Sequence, residues 1–168
     1  MKLEVKDTKL QGVKLLITDR FEDYRGEMGG IYDEQQYFDA GITTKFIYEQ
    51  VSMNFKNVLR GMHYDKHTTK LMQCLYGTVY AVVACCDETS PDFGKWQGFI
   101  LSDKNHHQLL VPPMYGNGHY TLTEKMVYLY KMSHPFSDEQ FTLAWNDPKF
   151  NIRWPTDTPI LSARDDII

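Results

Sequence analysis

Short segments in which β-branched and aromatic residues alternate with polar ones recur along this chain at intervals of roughly 8–12 residues, bounded by Gly, Pro, Asn or Asp. That rhythm leaves no room for a long amphipathic helix and points to an all-β sandwich or barrel. Residues 13–18, 45–54, 58–64, 70–75, 96–101, 127–132 and 141–145 read as strands. Residues 79–86 are apolar on both faces, as a central sandwich strand requires. Between these, residues 19–30 read as a polar loop, 31–37 as a strand end and 36–41 as a short helical turn. Residues 112–119, with two prolines and two glycines, read as a fixed, non-regular segment.

A length of 168 residues suits one domain, 1–168, able to bury a core without disulfides or metals. The net charge of −4 and the lack of any Lys/Arg block argue against a nucleic-acid footprint and against a polybasic membrane patch. No apolar leader opens the chain and no apolar run is long enough to cross a bilayer, which gives a cytoplasmic reading. Of the cysteines Cys74, Cys85 and Cys86, the adjacent pair points to opposite faces of a strand. They read as buried thiols rather than a disulfide framework or zinc site.

Residues 58–71 concentrate the candidate chemistry. His63 is the best general base, because imidazole titrates nearest neutral pH. Strand alternation puts His63 on the face of Gly61 and Arg60 on the other. A bulge at Gly61 would bring both into one cavity, and without it only one belongs to a site. In residues 45–54 one face is expected to be core while Tyr48 and Gln50 line the other, and Tyr130 is expected to point into an enclosed space. No metal is expected: His63 and His67 straddle a strand-to-loop boundary, His106 and His107 diverge, and no His-x-His with a following Glu occurs. Neither a phosphate-binding glycine loop nor a serine-nucleophile elbow is present.

Leu59-Arg60-Gly61-x-His63-Tyr64, Lys70-Leu71, Gly77-x-Val79, Ser90-Pro91-x-Phe93-Gly94, Tyr130-Lys131, Trp145-Asn146-Asp147-Pro148, Ile152-x-Trp154-Pro155 and Leu161-Ser162-x-x-Asp165, with Asp23-x-Arg25-Gly26 before them, run in order along nearly the whole chain. Together they resemble the nucleotide-sugar 3,5-epimerases typified by dTDP-4-dehydrorhamnose 3,5-epimerase. The resemblance implies a cupin-type jelly roll with short peripheral helices, cofactor-independent chemistry, and a homodimer in which N-terminal strands cross to the partner. It implies His63 as the base that removes a proton beside the C4 ketone of a nucleotide-diphosphate 4-keto-6-deoxy sugar. Asp165 then pairs with that histidine, Lys70 stabilises the enolate oxygen and Tyr130 returns a proton from the opposite face. Taken singly, Lys70 reads as a strand-edge charge and Asp165 as a solvated carboxylate; their joint occurrence with His63 and Tyr130 gives them roles.

Arg25 and Arg60 match ligand-holding positions, and paired guanidiniums suit a diphosphate. Tyr48, Gln50, Asn117, His119, Phe136 and Arg164 are the remaining expected substrate contacts. Several depart from the thymidine-sugar pattern: Tyr48 and Gln50 stand where Gln and Asn are usual, Gly30 replaces a Glu, and Asn117 replaces a second His. His63-x-Asp65-x-x-Thr68-x-Lys70-Leu71, Gly116-Asn117-x-His119-Tyr120 and Trp154-Pro155-Thr156-x-x-Pro159-Ile160-Leu161-Ser162 resemble instead a branch acting on GDP-4-keto-6-deoxy-heptoses in capsule polysaccharide biosynthesis. The alternatives are a dTDP-hexose epimerase, a sugar 3,4-ketoisomerase and a non-catalytic nucleotide-sugar-binding cupin.

Overall fold

A computed structural model describes residues 2–137 and 139–167. In chain order the strands are β1 (Leu3–Asp7), β2 (Lys14–Thr18), β3 (Phe21–Asp23), β4 (Gly26–Met28), β5 (Tyr48–Phe55), β6 (Leu59–Tyr64), β7 (Lys70–Tyr76), β8 (Thr78–Cys85), β9 (Trp96–Ser102), β10 (His107–Val111), β11 (Tyr115–Thr121), β12 (Lys125–Met132) and β13 (Phe141–Thr142). The helix α1 (Glu34–Asp39) lies between β4 and β5. One antiparallel sheet has the order β1-β2-β10-β7-β12-β5 and a second β13-β6-β11-β8-β9, while β3 and β4 form a separate hairpin. Two facing antiparallel sheets joined by crossovers make the expected jelly roll. No helix among the described residues is long and apolar enough to cross a membrane.

The double-sided apolarity of β8 follows from its place in three layers. Val79, Ala81, Val83 and Cys85 meet Met72, Cys74, Leu109, Met126 and Tyr128 between the sheets. Val82, Ala84 and Cys86 face the other way, against Met62 of β6 and Leu143, Phe150 and Trp154 of the chain's last quarter. A third cluster packs Tyr37 of α1 and Ile42 onto Leu16, Leu71 and Leu110, covering the outside of the first sheet. Each sheet is therefore sealed on part of its outer face, at about 25 cal/mol per Å² of apolar surface removed from water.

Several expectations are corrected. Residues 31–37 are not a strand end, because the Asp33 carboxylate accepts the Gln36 N–H at 3.0 Å and caps α1 instead. Residues 19–30 contain the β3–β4 hairpin rather than a plain loop. Residues 141–145 pair with β6 only as far as Leu143, which exchanges backbone hydrogen bonds with Met62, since a turn closed by Asp147 N–H on the Ala144 carbonyl carries the chain over the second sheet. The apolar face of β5 is not core: Val51, Met53 and Phe55 are exposed, and Gln50, Ser52 and Asn54 point inward.

The segment expected to be irregular contains β11, buried along its whole length. Its glycines serve a close approach between strands. A Cβ on Gly118 would sit 2.8 Å from Met62 Sδ and 3.0 Å from the Arg60 carbonyl, and one on Gly61 would sit 2.5 Å from Gly118 Cα. Asn117 pairs with His63 but His119 pairs with Arg60, so β6 carries one extra residue at Gly61–Met62. Gly61, at φ +129°, is the turning point of this bulge. Gly61→Ala is expected to lower stability by about 1–3 kcal/mol through its φ and the clash with Gly118. Urea denaturation measures it, and a change below about 0.5 kcal/mol would show that the strands part without cost.

Candidate active site

The bulge resolves the parity problem of β6. Arg60 and His63, which regular alternation would send to opposite faces, both line one cavity of about 230 Å³ between the sheets. His63, Arg60 and Asn117 come from the second sheet, and Gln50, Ser52, Lys70, Tyr130 and Met132 from the first. The C-terminal segment closes the cavity with Ser162, Arg164 and Asp165. A larger cavity of about 690 Å³ adjoins it, sharing Phe136 and Gln140 and continuing past Lys66, His67 and His134. The titratable cluster occupies the smaller one.

Asp165 reaches His63 because the tail runs beside β6. Ile160 exchanges backbone hydrogen bonds with Leu59 and Asn57, and a turn through Ser162 then brings the carboxylate inward. Asp165, only 3% exposed, has Oδ1 at 2.6 Å from His63 Nε2 and accepts the Gly61 N–H on Oδ2 at 3.3 Å. Burial alone would raise this carboxyl, yet bonds from His63, Gly61 and Ser162 hold it below the usual carboxylate range. An ionised Asp165 accepts the Nε2 proton of neutral His63, so Nδ1 is left as the basic lone pair.

Lys70 is 5% exposed and opens β7 at the cavity wall. Its ammonium has no hydrogen-bond or ion-pair partner among the described residues. Burial pulls its pKa down to about 8; Asp65 opposes that and Arg164 adds to it. Asp65 is itself fixed by the N–H groups of His67 and Thr68, at 2.8 and 2.6 Å, which folds the loop delivering Lys70. Lys70 thus lines the cavity as a buried cation that no described side chain neutralises by direct contact.

Tyr130 faces His63 from the opposite sheet, and burial raises its phenol above the ordinary range. Gln50, Asn117, Phe136 and Arg164 line the cavity as expected, although the Asn117 amide also donates to the His63 carbonyl at 2.8 Å. Ser52, Gln140 and Ser162 line it too and were not anticipated; the Ser52 hydroxyl has no hydrogen-bond partner among the described residues. Only their positions on strand β5 and in the tail hinted at them.

Three expected contacts lie elsewhere. Tyr48 is half-buried at the start of β5, outside the lining. His119 shares the inward face of β11 with Asn117 but stands two residues deeper, 2% exposed beneath Tyr130, where it cannot touch a ligand. Arg25 sits at the tip of the β3–β4 hairpin, 71% exposed and paired with Asp23 at 2.6 Å. Glu27 ties that hairpin to His106 at one end of β10, while Lys70 pairs with Val111 at the other.

The model of the dTDP-4-dehydrorhamnose 3,5-epimerase family matches residues 7–168. A Neisseria gonorrhoeae dTDP-4-dehydrorhamnose 3,5-epimerase is 35% identical over 97% of this chain, which spans about half (51%) of that relative's length. The structure superposes with a TM-score of 0.95 on the Bacillus anthracis dTDP-4-dehydrorhamnose 3,5-epimerase bound to TDP and pyrophosphate, at 35% identity over 99% of this chain and 98% of that one. It superposes at 0.93 on a Legionella pneumophila dTDP-6-deoxy-D-glucose-3,5-epimerase in complex with dTDP-4-keto-L-rhamnose, at 30% identity over 98% and 90% of the two chains.

Burying an unpaired ammonium opposes folding. Because Lys70 titrates near 8 when folded against 10.5 in its ordinary state, the unfolded chain binds more protons between those values, so this group makes stability rise with pH across that window. Below about pH 8 its full cost is present. Lys70→Met is therefore expected to raise stability by about 1–3 kcal/mol at pH 7. The gap to the wild type should narrow as pH climbs from about 8 toward 10.5. Urea midpoints across that range test this, and a destabilised Lys70→Met at pH 7 would contradict it.

Proposed function

The chain belongs to the dTDP-4-dehydrorhamnose 3,5-epimerase family, whose members are isomerase-class epimerases, and from that premise we propose that His63, Lys70, Tyr130 and Asp165 invert C3, C5 or both of a nucleotide-diphosphate 4-keto-6-deoxy sugar. The observation that carries the reading is the placement of His63, oriented by Asp165, and Tyr130 on opposite walls of one small cavity with the Lys70 ammonium between sheets beside them. His63 Nδ1 removes the proton from the carbon next to the ketone. Charge develops on the ketone oxygen as the enolate forms, and Lys70 meets it in a site where water does not screen it. Tyr130 then delivers a proton to the other face, which inverts the centre.

The substrate in this reading is a GDP-4-keto-6-deoxy-heptose of capsule polysaccharide synthesis, supported by Gln50 and Asn117 at the cavity wall and by the residue pattern through Asp65, Thr68, Asn117 and Tyr120. A dTDP-linked hexose is the second reading, favoured by the TDP and dTDP-sugar ligands of the Bacillus and Legionella relatives. Arg60 and Arg164 at the cavity serve the diphosphate. Arg25 enters only if a second copy receives it. That copy is proposed to cover the exposed apolar face of β5, where Val51, Met53 and Phe55 stand beside Ile47 and Tyr76.

In D₂O the protein is expected to place solvent deuterium at C3 or C5 of a GDP-4-keto-6-deoxy-heptose faster than of a dTDP-4-keto-6-deoxy-hexose. His63→Ala should lower exchange about 10²–10⁴-fold while nucleotide-sugar binding changes little. Proton NMR reads both; absence of exchange at either carbon with both sugars rejects the epimerase, and preference for the dTDP sugar rejects the GDP assignment. Sedimentation should give a dimer that Met53→Glu converts to monomer, whereas a monomeric wild type would remove the second copy.

A further inference from the structure

His119 is fully enclosed, yet it is not a simple core histidine, because it ends a directional chain of hydrogen bonds on the candidate acid. The Arg60 guanidinium donates from Nε to Asn54 Oδ1 at 2.6 Å. Since Nε can only donate, this contact fixes which end of the Asn54 amide faces Arg60, and its Nδ2 donor must face His119 Nε2, 3.0 Å away. Nε2 is then an acceptor without a proton. An imidazolium would set two donors against each other there, and burial, with Arg60 and His63 adding to it, pushes the His119 pKa down to about 3. Neutral His119 therefore carries its proton on Nδ1, which lies 3.2 Å from the Tyr130 hydroxyl. The Tyr128 ring, stacked on the imidazole at 4.5 Å between centroids, holds the plane in place.

We infer that Asn54 and His119 are positioning residues that make Tyr130 a directed proton donor: His119 Nδ1–H donates to the phenol oxygen and so leaves the phenol's own proton free to point into the cavity. The inference rests on the epimerase reading for its step. When the enolate is reprotonated, the phenol O–H breaks and a C–H bond forms as the enolate collapses to the ketone. The negative charge then lands on the Tyr130 oxygen, where a hydrogen bond from Nδ1–H already faces it. With the other tautomer, Nδ1 would accept the phenol proton and hold it away from the sugar.

Deprotonation by His63 does not use this chain, so the variants separate the two half-steps. Asn54→Asp keeps the shape and presents an acceptor to Nε2, which reverses the tautomer; His119→Phe removes the donor. For both, inversion is expected to fall about 10–100-fold relative to deuterium incorporation with retained configuration at the same carbon. A structural role for His119 would lower inversion and retained exchange together, and that parallel loss, or no change in their ratio, overturns the inference. The ¹⁵N shifts of His119 in the wild type decide the matter independently of how the variants fold: a protonated Nδ1 and bare Nε2 are expected, and a protonated Nε2 overturns it. A wild type that exchanges at neither carbon would instead reject the epimerase reading, leaving the tautomer result standing.

Discussion

The one-residue bulge at Gly61, pressed against Gly118, is the constraint on which the site depends. A regular pairing that set Asn117 opposite His63 would set His119 opposite Gly61; the extra residue sets it opposite Arg60 instead. Two side chains of opposite parity thereby enter one cavity. The bulge also turns the Gly61 N–H toward the Asp165 carboxylate, so one buried acid is satisfied by a backbone donor and by the imidazole together. The absent Cβ atoms matter because two backbones meet there at a distance no side chain permits.

Around that bulge the molecule concentrates groups that oppose folding. Among the described residues Lys70 is buried without an ion pair and Ser52 has an unpartnered hydroxyl, while His119 is held neutral by burial. The three apolar clusters offset them, one between the sheets with the cavity-lining Tyr130 packed against it and two on the outer faces. Rigid layers on either side explain how a tail carboxylate and strand side chains from both sheets keep fixed separations. Lys70 illustrates the balance: in the proposed mechanism, the burial that makes its ammonium unfavourable is what makes it effective against a developing oxyanion.

Much of this was legible in the chain. The β8 segment announced a strand covered on both faces, and the alternative of a bulge at Gly61 was stated by the clash between the parity of Arg60 and that of His63. Periodicity turned Tyr130 toward an enclosed space, but its pairing with His63, and Asp165 altogether, were reached only through family resemblance, because spacing along a chain does not say which strands face one another. Periodicity showed that β5 has two unlike faces but not which one is inward, and its apolar face proved to be outward. Gly116 and Gly118 looked like punctuation for an irregular segment, since the neighbours that crowd them, Cys86 at Gly116 and β6 at Gly118, are tertiary partners. Depth was equally hidden: Asn117 and His119 share a face, and only the strand's path into the core separates a cavity wall from a buried support.

In the proposed mechanism two groups on facing sheets act on one carbon, one taking a proton and the other returning it. Tyr130→Phe removes the second group and leaves His63, Asp165 and Lys70 in place. With a GDP-4-keto-6-deoxy-heptose in D₂O, this variant is predicted to keep exchanging the hydrogen beside the ketone with configuration retained while inverted product disappears. Loss of exchange and inversion to the same extent, or inversion continuing at the wild-type rate, would contradict this two-group mechanism.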